Sequence, residues 1–580
     1  MRKERLKKLV SFYKPYKTVF FLDLLCSLVK AGIALVLPLG VGYITGALLE
    51  SGGPGVLGQV LWVGAGLLAL VLIQALCSYY SDYQGHYLGA KIERDMRAEM
   101  FRHCQGLSFS YYDSHTVGDL MSRITNDSLA LAEFFHHVPE DLVVNVIKFI
   151  GAAAILLWLN WPIALVILAF LPFMTWYTLH FNRKMTAALA LGRERIGAVN
   201  AQTEDSLSGI RVVQSFGNEP VEEAKFAARN QRFCEARRLG YRGEALCWGG
   251  MEAFASLIPI AVAIAGSIAI LKGSMPLSEL VVFLMYVSSF TGPIQSLVNT
   301  SRLIQEGRTA FARYTELMET RPEIADAPGA AELPRAEGKL EFRDVGFRYQ
   351  DGETVFRHLD LTVEAGEYVA LVGASGVGKT TLCSLIPRFY QPEEGQVLLD
   401  GVPIQSVTLS SLRKNIGLVQ QDVYLFTGTV AENIAYGRPD ATREEIVRAC
   451  DDAYCDHFIR TLPQGYDTVI GDETTTLSGG QKQLLTIARA ILADRRILIL
   501  DEATSNVDTR TEILIQKAMD KLMQGRTCFV IAHRLSTIVN ADRILVIRGG
   551  SIVEQGTHRQ LLEQNGFYAQ LYASQYDRAV

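Results

Sequence analysis

Positive charge is not in excess in this chain. Its 580 residues carry 56 Lys and Arg against 61 Asp and Glu, a net charge of −5, and the pI is about 6.1. No global basic field points to nucleic acid. Paired cysteines are missing as well. The nine cysteines (26, 77, 104, 234, 247, 383, 450, 455, 528) are odd in number, scattered and without a CxxC pair. That pattern speaks against a disulfide framework or a zinc site and fits reduced thiols in a cytoplasm-facing protein. A cleavable leader is not expected either. The N-terminus is basic (Arg2, Lys3, Arg5, Lys7, Lys8, Lys14, Lys17), but the apolar stretch behind it runs from about Thr18 to Leu49. A signal peptide's apolar core is only about 7–15 residues. The stretch reads as a retained membrane helix with a cytoplasmic basic flank.

What is abundant is apolar surface. Hydrophobic residues make up 49% of the chain, and the mean hydropathy is +0.16, which suggests that part of the chain lives in lipid. The first half offers six runs long enough to cross a bilayer, at about 18–49, 56–82, 138–159, 163–181, 246–271 and 279–303. Gaps one, three and five are short. Gaps two and four, at about 83–137 and 182–245, are long and charged. The fourth is rich in Arg and Lys, so the positive-inside rule puts both long gaps and the N-terminus in the cytoplasm. Helical apolar spacing persists in them, as in Ile196, Val199, Thr203 and Leu207, so the membrane helices are expected to continue as paired cytoplasmic extensions.

Composition shifts near Arg321-Pro322. The expected organisation is a membrane domain over 1–320, a Pro- and Ala-rich linker over 321–337, and an α/β domain over 338–580. In that last part short β-branched runs alternate with helical segments, implying a largely parallel sheet.

The run Tyr368 to Val372 leads into Gly373-Ala374-Ser375-Gly376-Val377-Gly378-Lys379-Thr380, with Thr381 after it. This is GxxxxGK[ST] between a strand and a helix, a P-loop. Its glycines let backbone N–H groups wrap phosphates, and the helix that follows adds its positive end. Lys379 reaches the β- and γ-phosphates of ATP, and Thr380 is a candidate Mg²⁺ ligand. A second apolar run, Ile497 to Leu500, ends in Asp501-Glu502. Asp501 is the candidate to hold Mg²⁺, and Glu502 the general base or water-orienting group.

Between these lies Leu477-Ser478-Gly479-Gly480-Gln481. Here the sequence resembles the ATP-binding cassette (ABC) family, in the exporter branch related to P-glycoprotein. The resemblance covers essentially the whole chain and implies a type IV exporter fold: six transmembrane helices plus an α/β P-loop nucleotide-binding domain. It further implies that Tyr349 stacks on adenine, that Gln421 senses Mg²⁺ and contacts the membrane domain, that Ser505 to Asp508 form a dimer-interface loop, and that His533 sits near the γ-phosphate. The signature Ser478-Gly479-Gly480-Gln481 opens a helix and makes a second anion site. By resemblance, it closes over nucleotide on a partner's P-loop.

One membrane half and one cassette require a dimer. With both Glu502 and the signature intact, a homodimer is favoured over half of a heterodimer. Ser108–Ser128 resembles the first coupling segment, and a second is expected near Phe216–Lys225, both docking on cassettes near Gln421. Asp472-Glu473 resembles an exporter-specific loop, with Thr474 where a glycine is usual. Among intramembrane polar residues, Asp23 and Lys30 share one helix face, and Lys148 and Glu252 lie in or near spans; structural pairing is the expectation for them. Phe283, Tyr286 and Phe290 form an i, i+3, i+7 stripe that reads as packing or lipid contact rather than a binding wall. The resulting expectation is an ATPase in a bacterial-type inner membrane with its cassette cytoplasmic, exporting an amphipathic or lipid-like compound. The alternatives are a lipid or lipid-linked flippase, a siderophore-type importer on the same fold, and an ATPase that regulates a partner.

Overall fold

The computed structural model describes residues 3–49, 55–349, 352, 354–471, 477–501, 508–531 and 538–576. The chain divides into two compact units. One comprises Met1–Gln105 with Thr116–Thr320; the other comprises Gly106–His115 with Arg321–Val580.

The first unit is all helix. The first span is Lys17–Tyr43, closed by a π-turn at Ile44–Leu48. The second is Val56–Tyr80, which passes through a π-turn at Ser81–Gly85 into the helix His86–Gln105. The third and fourth fall inside one helical stretch, Ser128–Ser208, broken at Asn160, whose backbone is extended (φ −153°, ψ 92°). Pro162 follows the break by two residues and so falls in the first turn of the next helical segment, where its missing N–H costs nothing. The fifth span ends the helix Glu219–Leu271, and the sixth is Leu277–Tyr286 continuing into Ser288–Glu319. Six apolar spans therefore lie in five long helical stretches. The expected extensions are present. Near their far end, Glu222 of one accepts hydrogen bonds from Gln202 (2.8 Å) and Ser206 (2.6 Å) of the other.

Side-chain burial in this unit is lopsided, as expected where lipid replaces water as the surrounding solvent. Ile167, Met174, Cys247, Met251, Ile258 and Val262 meet Phe283, Tyr286 and Phe290 in one core. Of the two readings of the aromatic stripe, packing and lipid contact, the core contacts select packing, and Tyr286 anchors the stripe by donating to the Leu35 carbonyl. The second span has no buried residue at all.

Among the described residues, the second unit holds twelve strands: β1 Leu340–Arg348, β2 Thr354–Val363, β3 Tyr368–Val372, β4 Glu394–Leu399, β5 Val402–Pro403, β6 Ile416–Val419, β7 Gly428–Thr429, β8 Val469–Ile470, β9 Ile497–Asp501, β10 Thr527–Ile531, β11 Arg543–Arg548 and β12 Ser551–Gly556. The central sheet has the order β12-β11-β3-β10-β9-β6. Five of its strands are parallel, and only the edge strand β12 runs antiparallel. Both faces are covered, so β3, β9 and β10 are apolar nearly throughout: Val369 to Leu371, Ile497 to Leu500 and Cys528 to Ile531 are all buried. A second sheet, β2-β1-β4-β5, is antiparallel. The segment expected as a linker lies on this unit. Ala331 bridges to Val407, and Asp400 accepts from the amides of Glu337, Gly338 and Lys339.

Candidate functional site

In a parallel sheet, ligands bind beyond the carboxyl ends of the strands, where helix N-termini converge. Three candidate groups lie at that edge. β3 ends at Val372 and runs into the P-loop, β9 ends at Asp501, and β6 ends at Val419, two residues before Gln421. Glu502 follows β9 directly in the chain, and His533 comes two residues after β10. Both lie outside the described residues, as do Asp472–Thr476 and Ser505–Val507.

The loop's shape follows from its glycines. Gly378 holds φ +106°, and a Cβ there would press within 2.7–2.8 Å of Val355 and Phe356. Any other residue is both strained and crowded at this position. Gly376, at φ +81°, leaves open space above it. Ala374, Ser375 and Gly376 are exposed, and the helix Lys379–Leu385 begins at once. Lys379 is the exception: it is buried, and its ammonium donates to the Gly373 carbonyl at 2.8 Å and to that of Ala374 at 2.9 Å. Burial lowers its pKa, and the Asp501 carboxylate partly opposes that shift. A desolvated ammonium inside a ring of exposed backbone, with a carboxylate near and the Thr380 side chain exposed, is a donor set suited to a phosphate chain and a divalent cation.

Tyr349 keeps an exposed ring beside this loop. Its hydroxyl pairs with Thr381 Oγ1 at 2.9 Å, and its ring meets Phe347 and Tyr390 edge-on at 5.0 and 5.2 Å. Gln421 is exposed. The signature opens the 15-residue helix Gly479–Ala493 through a capping box. Ser478 Oγ accepts from the Gln481 amide (3.2 Å), and Gln481 Oε1 accepts from the Ser478 amide (2.9 Å). Gln481 is therefore committed to the cap, while Ser478 and Gly479 stay exposed. Asp508 caps the next helix, Thr509–Met523, accepting from Thr511 N at 3.0 Å. That hydrogen bond holds its carboxyl below the usual range.

Comparison with known proteins agrees with this geometry. The family described as "ABC transporter transmembrane region" matches residues 20–294, and the one described as "ABC transporter" matches residues 356–505. An uncharacterised ABC transporter ATP-binding protein of Bacillus subtilis, YwjA, is 42% identical over 99% of this chain and 100% of its own length. The chain belongs to the ABC transporter family. An ATP-dependent lipid A-core flippase of Syntrophus aciditrophicus is 35% identical, over 99% of this chain and 95% of that protein. Among solved structures, a bacterial Atm1-family ABC exporter with ATP bound superposes with a TM-score of 0.80 at 30% identity, covering 97% of this chain and 98% of that one. This transporter is thus an integral membrane ATPase with the ABC exporter fold.

The two stretches expected to couple the units lie outside the P-loop. The short helix Phe109–Ser114 groups with the cassette. Phe109 lies 4.2 Å from the Phe389 ring, Ser110 donates to Glu323 (2.6 Å), and Asp113 accepts from the Tyr390 hydroxyl (2.6 Å). The coupling-like stretch Ser108–Ser128 therefore divides: Gly106–His115 goes with the cassette, and from Thr116 onward with the membrane unit. The second expected coupling segment, Phe216–Lys225, is a short turn over 216–218 followed by the start of the helix Glu219–Leu271, with Phe216 and Val221 exposed.

Within the membrane unit, a cavity of about 600 Å³ is lined by Asn182, Arg193, Trp248, Arg302 and Glu306 among others. None of these was singled out by the sequence, because they come from three separate helices. Asp23 and Lys30 do not bond each other. Asp23 accepts from Ser81, and Lys30 donates to Glu140 at 2.7 Å. Ser27 and Ser81 also bond Glu140, at 3.2 and 3.1 Å. Glu140, the hub of this cluster, was missed by sequence reasoning because it sits at the very edge of an apolar run. Lys148 is half-buried and Glu252 is exposed.

Proposed function

We propose that the protein is a homodimeric, Mg²⁺-ATP-driven exporter of an amphipathic or lipid-like compound, set in the inner membrane with its cassette in the cytoplasm. The observation that carries the proposal is the exposed signature end, Ser478 and Gly479, on a cassette whose own P-loop separately exposes Ala374, Ser375, Gly376 and Thr380. An anion site with nothing over it is what a second copy's nucleotide would fill. ATP supplies the phosphate chain that bridges the two, and Mg²⁺ neutralises it.

The chain's own groups then divide the work. The P-loop from Gly373 to Thr381 grips phosphate, with Lys379 trading its carbonyl partners for phosphate oxygens. Tyr349 stacks the base. Thr380, Asp501 and Gln421 are the ligands for the cation. Glu502 orients and deprotonates the attacking water, and His533 steadies the γ-phosphate side. Asp508 and Gln481 hold their helices at the dimer interface. Separation of the cassettes after hydrolysis would move the membrane helices by a hinge-type transition.

Glu502→Gln is the test. It is expected to bind ATP, remain dimerised in its presence, and lose about 10²–10⁴-fold in ATPase rate. Normal turnover would remove Glu502 from its role, and failure to associate with ATP would remove the sandwich.

A lipid or lipid-linked cargo is the second reading. It is favoured by the similarity to a lipid A-core flippase; in the membrane-unit cavity the charges of Arg193 and Arg302 are balanced by Glu306, at 3.6 and 2.8 Å. ATPase stimulation by anionic phospholipid, and none by uncharged drugs, would select it. ATP-dependent transport out of inverted vesicles would exclude an importer or a purely regulatory ATPase.

A further inference from the structure

Three imidazoles meet where the second and third spans reach the cytoplasmic edge. His86 follows the π-turn that ends the second span, and His136 and His137 precede the third. Their ring centroids are 4.5 Å (His86–His136), 5.1 Å (His86–His137) and 4.5 Å (His136–His137) apart. One nitrogen from each ring lies within 4.8 Å of the others. Packed histidines need not bind anything, so the surrounding groups decide the question.

Those groups are arranged as the outer partners of metal-bound histidines are. A ligating imidazole usually gives its second ring N–H to a carbonyl or carboxylate, which fixes the tautomer and aims the free nitrogen. His86 Nδ1 lies 2.6 Å from the Asp82 carbonyl, which leaves Nε2 as its lone-pair nitrogen. His137 Nε2 lies 3.2 Å from Glu133. His136 is flanked by Asp23 at 3.9 Å from Nδ1 and by Glu140 at 3.8 Å from Nε2, both too far for a hydrogen bond. It is 4% exposed, and its Nδ1 has no hydrogen-bond partner. A buried ring nitrogen left unbonded is costly and calls for an explanation.

The backbone makes room for this ring. Ser81–Gly85 is a π-turn, a distortion often found at functional sites, and it turns both Ser81 and Gly85 inward. A Cβ at position 85 would overlap the His136 ring. His86, by contrast, is exposed, which gives an ion a path in.

We propose that His86, His136 and His137 form a binding site for one divalent first-row transition-metal ion, of which Zn²⁺ is the best fit, with the fourth position open to water. Imidazole suits zinc, copper, cobalt and nickel, whereas Mg²⁺ and Ca²⁺ prefer oxygen. The ligand bonds, about 2.0–2.1 Å each, require only small ring rotations from nitrogens already within 4.8 Å. Asp23 and Glu140 supply negative charge beside His136 that offsets the ion's, and Lys30 balances part of the charge on Glu140. The cysteine spacing carried no sign of a metal site because no thiol takes part.

The test uses the full-length, tag-free, chelator-washed protein titrated with Co²⁺ and then Zn²⁺. The expected result is one Co²⁺ per chain, giving visible d–d absorption without thiolate charge transfer and displaced stoichiometrically by Zn²⁺. His86→Gln and His137→Gln should each weaken binding at least tenfold while leaving metal-free ATPase unchanged. His86 is exposed, so His86→Gln remains decisive even if a substitution at the buried His136 does not fold. Absence of saturable binding, a thiolate spectrum, or an affinity in both variants equal to that of the unaltered protein overturns the proposal.

Discussion

The cassette and the membrane unit place their functional groups by opposite means. In the cassette Lys379, Ser478 and Asp508 sit at the starts of helices, and their neighbours in the chain hold them there. Lys379 is bonded to Gly373 and Ala374, Ser478 to Gln481, and Asp508 to Thr511. In the membrane unit the polar groups reach across helices: Lys30 to Glu140, Asp23 to Ser81, Asn145 to Ser296. Local placement survives large sequence change, since a motif carries its own geometry. Placement by packing depends on every helix that intervenes.

That contrast can be broken in several ways. Lys379→Ala should have the largest effect. It removes the one desolvated cation in the P-loop, and ATPase activity is expected to fall about 10²–10³-fold with weaker ATP binding by calorimetry; unchanged affinity would contradict the assignment. Phe283→Ala deletes a fully buried ring of the membrane core and should cost about 3–5 kcal/mol, read as earlier unfolding in detergent, while nucleotide affinity of the cassette is untouched.

Glu140→Ala should cost about 3 kcal/mol, because it strands Lys30 in a nearly buried site. Lys30→Met in the same chain is expected to recover part of that loss, and no recovery would show that the pair is not coupled. Ser478→Ala and Thr557→Ala each remove one capping box, about 1 kcal/mol. Only the first should also weaken ATP-driven association, measured by light scattering. Equal effects would reduce the signature serine to a cap.

The smallest effect concerns pH. Burial lowers the Lys379 pKa below its ordinary 10.5, and phosphate contact must raise it again. The bound state therefore holds the proton more tightly than the free state. ATP affinity is expected to be full below the free-state pKa and to fall as pH climbs through it. An affinity that rises with pH in titrations above neutrality would reverse the sign.

Legibility in the sequence followed the same division. The P-loop, the signature and Asp501 could be read because their partners are within a few residues. The six spans could be read because lipid demands length and apolarity over a continuous run, and even the third and fourth were separable at Asn160-Trp161-Pro162. Glu140 and His136 could not be read as a cluster. Their partners Lys30 and Asp23 are 110 or more residues away, and no periodicity records which helix faces which. The division of the coupling stretch at His115 was likewise invisible, because its packing partners Phe389 and Tyr390 look like ordinary residues after a helix.

The grouping of Gly106–His115 with the cassette bears on how the protein can be taken apart. A recombinant piece beginning at Arg321 would include Phe389, Tyr390 and Glu323 but not the six-residue helix that caps them. It would present a bare aromatic patch to water and tend to self-associate. Adding back a synthetic peptide spanning residues 106–115 should restore its solubility, so the smallest autonomous fragment is a two-piece assembly rather than a continuous one.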